Sequence, residues 1–106
     1  MKPAEPKPPR HPKEPVVRAA FARILVQLRE AADLTQAEVA EKSGYAEKYI
    51  GFLEQRKHTP TLTALIEISK AVESSPPKML TGVLELMPSF AHLEGKPGKA
   101  KVSKRK

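Results

Sequence analysis

Residues 35–55 read TQAEVAEKSGYAEKYIGFLEQ, and the fold turns on this stretch. Thr35 and Glu38 form a T-x-x-E capping box, each side chain answering the other's free backbone N–H, so a helix begins here. Val39 and Ala40 face inward. Ser43-Gly44-Tyr45 breaks the helix, with Gly44 free to take a left-handed conformation. A second short helix is predicted over about 46–55, with Ile50 and Leu53 on its apolar side.

These features match what a tight two-helix unit needs. A small residue in the first helix, Ala40, lets the second approach closely. Gly44 permits a sharp reversal. Ile50 and Leu53 lock the pair together. All fall in register over residues 36–55. The result is a helix-turn-helix whose second helix keeps an outer face free to enter a major groove.

Outward from this unit the chain reads as three more helices and no strand. Phe21, Ile24, Leu25, Leu28 and Ala32 give a preceding helix, about 16–32, one apolar face. A fourth helix follows Thr61 and runs to about residue 73, with Leu62, Leu65, Ile68, Ser69 and Val72 as its inner stripe. Ser75 caps a fifth, with Pro76 at the first helical position, where a missing N–H costs nothing. This helix ends before Pro88. Met79, Leu80, Val83, Leu84, Leu86 and Met87 give it more apolar surface than packing on one side requires.

The 106 residues bound the chain to one small domain. Residues 1–15 carry six prolines and are expected to form an extended or disordered Pro/Lys-rich tail. Such a stretch also suits a Pro-rich ligand, but a solvated tail is the simpler reading. Residues 94–106 mix Gly, Lys and Ser and read as a disordered basic tail. The folded domain is therefore placed at 16–93. The net charge of +7 lies in the tails, because residues 16–93 hold nine basic and nine acidic side chains. The high overall pI is thus weak evidence about what the middle binds.

Several functions are disfavoured. Cysteine is absent, so there is no disulfide framework and no thiolate metal site. His11, His58 and His92 are scattered, and no metal is expected. Glu38 and Glu41 lack an accompanying His, Ser or glycine loop, so neither a catalytic residue nor a cofactor is expected. No secretory signal or membrane span is read, which makes a cytoplasmic protein the expectation.

Residues 35–80 resemble the Cro and phage-repressor type of helix-turn-helix, the XRE family, and the likeness extends back to Phe21. Arg29 matches the family's arginine near the end of the first helix. Thr35-Gln36 matches its entry motif, Glu54 the glutamate at its exit, and Pro60-Thr61-Leu62, loosely, its linker. Two positions depart: Ala46 stands where Ser or Thr usually caps the recognition helix, and Arg56 where glycine usually ends it. The exit must then change shape or strain an arginine.

The resemblance implies an all-α, compact, five-helix lambda-repressor-like domain in a bacterial or phage transcriptional regulator, most simply a repressor. It implies double-stranded DNA as partner and a homodimer formed through surface near the fifth helix, with Met79, Val83, Leu84 and Met87 as the seam. Gln36 would touch a phosphate or reach a base edge. Glu47, Lys48, Gly51 and Phe52 would face outward, with Lys48 donating to guanine and Glu47 accepting from cytosine. Phe52 would pack either on a thymine methyl or under the following loop. Tyr45 and Tyr49 would reach phosphates, and Arg56, Lys57 and His58 the DNA backbone. Glu54 reads as a structural residue, capping or pairing with Arg29, and Glu47 and Lys48 could instead pair along their own helix. The alternative is a protein-interaction module on the same fold, such as an antitoxin or coactivator holding a partner protein.

Overall fold

The computed structural model describes residues 7–95. Five α-helices follow in order: α1 (Glu14–Ala31), α2 (Gln36–Ser43), α3 (Glu47–Glu54), α4 (Leu62–Ala71) and α5 (Pro76–Leu86). A 3₁₀ segment, Met87–Leu93, closes the fold. No strand occurs among the described residues. None of their helices is long and apolar enough to cross a membrane. The basic stretch expected beyond the domain lies, from residue 96 onward, outside the described residues.

Helix α1 begins two residues earlier than the apolar periodicity suggests. Glu14 and Pro15 form its first turn, where proline's missing N–H leaves no bond unmade and the carboxylate favours the positive end of the helix dipole. Val16, Ala19, Ala20, Phe21 and Leu25 bury its inner face. Helix α5 and the 3₁₀ segment cover one side of α1, and α3 packs on another. Helix α2 wedges between α3 and α4. Val39, Ile50, Leu53, Ile68 and Met79 meet Phe21 and Leu25 in one core.

Close approach of α5 to α1 depends on Gly82. A Cβ there would lie 2.8 Å from Cγ1 and Cδ1 of Ile24, so the isoleucine occupies the space a side chain would take. Two assignments of the apolar pattern change. Leu62 is 75% exposed and is not part of the α4 stripe. It sits in the first turn, directly after the cap Thr61. Past Pro88 the chain stays ordered and delivers Phe90 to the core.

Three helices end alike without glycine. Asp33, Arg56 and Glu73 take φ of 59°, 65° and 62°. In each case the next residue's N–H reaches back to the first carbonyl of the closing turn: Leu34 to Arg29, Lys57 to Phe52, Ser74 to Ser69. These are Schellman closures with non-glycine residues at the left-handed position. Helix α3 therefore ends in the left-handed turn that a glycine would favour, and Arg56 carries the strain.

The N-terminal segment is tied down at both ends. The Lys7 N–H donates to the Lys57 carbonyl at 3.0 Å, and the Gly95 N–H donates to the Pro12 carbonyl at 2.8 Å. Residues 7–11 and 13 are exposed, as expected of a solvated segment, and these two backbone bonds hold it against the domain.

Candidate nucleic-acid interface

The helix-turn-helix is assembled around Glu54. Its carboxylate accepts from Arg29 Nε at 2.7 Å and from Nη2 at 3.2 Å, and Gln36 Nε2 donates to it at 2.7 Å. Arg29 Nη1 also donates to the Leu34 carbonyl at 3.0 Å. One guanidinium thus ties the end of α1, the α1–α2 loop and the end of α3 together. The bonded Glu54 carboxylate holds the Arg29 pKa above its ordinary value, so the guanidinium stays charged. The structural role expected of Glu54 is the one observed.

Helix α2 enters through the capping box: Glu38 N–H to Thr35 Oγ1 at 3.1 Å, and Thr35 N–H to Glu38 Oε1 at 2.8 Å. Gly44 makes the turn at φ 84° with its N–H on the Ala40 carbonyl. Helix α3 starts at Ala46, which supplies no side-chain cap, so free N–H groups of its first turn are left at the surface.

Glu47 and Lys48 are exposed on that first turn. Neither forms an ion pair among the described residues, so the pairing along the helix considered above is not made. Gly51, expected outward, is buried instead: Gln36 and Gln55 lie over it, with Gln36 Oε1 3.7 Å from the position of a Cβ. Gln36 is therefore a bridge across the two helices, with its amide at the rim of the outer face.

The aromatic residues form a connected ladder. Tyr45 stacks on Tyr49 at 5.0 Å, Tyr49 meets His58 edge-on at 5.8 Å, and Phe52 stacks on His58 at 5.2 Å. Phe52 thus packs under the following loop, one of its two expected placements. Burial, and next the electrostatic coupling to the neighbouring Tyr45 ring, push the Tyr49 phenol above its ordinary range and keep it a neutral donor. Sequence reasoning found each aromatic but not the ladder, since His58 lies beyond the helical period.

The cations at the α3 exit are arranged in two ways. Arg56 and Arg23 lie on Phe90, their guanidinium carbons 5.0 and 5.4 Å from the ring centre. The Lys57 ammonium lies 5.6 Å from the Phe52 ring. Behind them Arg18 is buried, with Nε on Thr59 Oγ1 at 2.8 Å and Nη2 3.7 Å from Glu14.

The expected seam on α5 needs correction. Met79 and Val83 are buried in the core and cannot meet a second molecule. The exposed large apolar residues of the helix are Leu80 at 47% and Leu84 at 59%. Leu84 and Met87, with Val16, Pro88, Ala91 and the paired Lys13 and Glu94, line an open cleft.

Two short helices at a sharp turn, the second with charged side chains outward, define a DNA-binding helix-turn-helix protein. A helix-turn-helix family profile matches residues 25–78. The control protein C.SmaI of Serratia marcescens is 35% identical over 65 residues, covering 61% of this chain and 77% of the relative. An uncharacterised HTH-type transcriptional regulator, y4dJ, of Sinorhizobium fredii is 35% identical over 66 residues, 62% of this chain and 80% of its own length. Among solved structures, the restriction-modification controller protein C.AhdI of Aeromonas hydrophila superposes with a TM-score of 0.56 at 26% identity, over 58% of this chain and 94% of that one. A point mutant of the controller protein C.Esp1396I shares the fold at 21% identity and a TM-score of 0.63, over 68% of this chain and 96% of that one. The chain belongs to the XRE-type helix-turn-helix family of DNA-binding transcription regulators.

Proposed function

We propose that this protein is a controller-type regulator that binds a two-fold operator as a homodimer, with α3 of each copy in the major groove, and acts chiefly as a repressor. The observation that carries the reading is the outer first turn of α3. Glu47 and Lys48 are exposed there without an ion-pair partner among the described residues, on a helix held by the Arg29–Glu54–Gln36 cluster. Lys48 donates to guanine O6/N7 and Glu47 accepts from cytosine N4. Tyr45, Tyr49 and the cations at the α3 exit position the helix on the backbone. Relatives named as control or restriction-modification controller proteins support the controller role.

Leu80, Leu84 and the neighbouring Met87 provide the apolar surface for the homodimer. Two copies would present their α3 helices to half-sites one turn apart, about 34 Å. Selection from a random duplex pool tests the whole reading. Enrichment of a palindrome with that spacing supports it, and recovery of no common sequence refutes it.

A further inference from the structure

The family profile begins at residue 25, and the segment preceding α1 lies outside it. That segment nevertheless reaches the edge of the helix-turn-helix. The Lys7 N–H donates to the carbonyl of Lys57, three residues past the last residue of α3. Lys7 is exposed and forms no ion pair with a described carboxylate. The backbone bond thus brings an exposed lysine to the loop that follows α3. Among the described carboxylates, Glu14 at the start of α1 is engaged by Arg18 and Thr59. Burial first, and then the Lys7 and Arg18 charges, hold the His58 pKa below its ordinary value, so the Lys7 charge is felt at the imidazole beside the α3 exit.

Geometry decides what this edge faces. Helix α3 has eight residues and is about 12 Å long. A major groove is about 12 Å wide. A helix of that length with its first turn on base edges brings its exit to the groove wall, where phosphates lie. Most of the domain is charge-neutral, so an additional cation at this wall is a substantial fraction of the available attraction.

We propose that the N-terminal segment is a phosphate clamp, docked on the α3–α4 loop by the Lys7–Lys57 backbone bond, with Lys7 as its DNA-backbone contact. The clamp rests on the reading of the chain as an operator-binding protein. It adds affinity without sequence preference, because a phosphate contact carries no base information.

The test compares the full chain with Lys7→Gln and Lys7→Arg, on the selected operator and on an unrelated duplex, across a salt series. Lys7→Gln should weaken both duplexes by the same factor, about fivefold per contact. It should also reduce the slope of log K against log salt by about 0.9 for each bound copy. Lys7→Arg should retain the parental slope. Because Lys7 is exposed, the melting temperature of both variants should match the parent. Parental slope and affinity in Lys7→Gln overturn the clamp while leaving operator binding intact. Loss on the operator alone overturns it too, since that would make Lys7 a base reader. A parent that binds no duplex at any salt overturns both readings together.

Discussion

Arg29 and Glu54, from the ends of α1 and α3, meet through two hydrogen bonds of 2.7 and 3.2 Å with both side chains largely withdrawn from water. Gln36 joins the same carboxylate, so the angle between α2 and α3 is fixed at this point. Removing one member of a buried pair strands the other's charge. Glu54→Ala should therefore cost about 3 kcal/mol of stability. The double variant Arg29→Met/Glu54→Leu should cost clearly less than the sum of its singles, because no charge is stranded. Denaturant unfolding of the parent, Glu54→Ala, the double variant and its two singles checks this, and additive losses in the double would show that the pair is not coupled.

Lys48 extends from the framework that this pair holds, and its exposed ammonium has no carboxylate partner among the described residues. Lys48→Ala should relax preference at one operator position by about 1–3 kcal/mol and leave stability unchanged. Binding to a panel of single-base operator variants measures it. A uniform loss over the whole panel would assign Lys48 to phosphates.

His58 gives the fold a pH dependence. Burial, then the charges of Lys7 and Arg18, lower its pKa in the folded state. The unfolded chain binds the proton more readily, so the stability contribution is present above about pH 6.5, the unfolded value. It is lost as the pH falls through the folded value. The melting temperature should therefore drop between pH 7.5 and pH 5, and His58→Gln should reduce the drop. An equal drop in both proteins would remove His58 as its source.

The helix ends separate strain from contact. Glu73 and Arg56 hold left-handed backbone at φ 62° and 65°, but only Arg56 also lies on an aromatic ring, 5.0 Å from the centre of Phe90. Glu73→Gly should stabilise by about 1 kcal/mol by removing the Cβ conflict. Arg56→Gly should gain less, since the same change gives up a cation–π contact of about 0.5–1 kcal/mol. Equal gains in thermal unfolding would mean that the Phe90 contact contributes nothing.

Local signals were the legible part of this fold. Thr35 with Glu38, and Ser75 with Pro76, mark helix starts by chemistry that acts within a few residues, and both appear as read. The Arg29–Glu54 pair followed from the resemblance, since its members are too far apart in the chain for any periodic rule. What failed depends on neighbours. Leu62 fits the α4 period, yet it lies in the first turn, where no helix covers it. Gly51 fits the outer face of α3, yet Gln36 and Gln55 fold over it. Phe90 follows Pro88 in a 3₁₀ segment, where the 3.6-residue period gives no signal.

Helix α5 combines both cases and sets the last prediction. It carries two apolar stripes, Met79 with Val83 and Leu80 with Leu84, and periodicity alone cannot say which faces the core. The first stripe is buried and the second is exposed. Substituting the two stripes should therefore have opposite consequences. Val83→Ala should lower the unfolding free energy of each copy by about 2 kcal/mol, the loss expected when buried methyl groups leave a cavity. Leu84→Glu should leave the isolated fold nearly as stable, because the side chain already lies in water, while breaking association and weakening binding to a two-half-site operator far more than to a single half-site. Sedimentation of both variants against the parent distinguishes the outcomes. A parent that stays monomeric at high concentration would refute the α5 seam, and a Leu84→Glu variant that still dimerises would move the interface elsewhere.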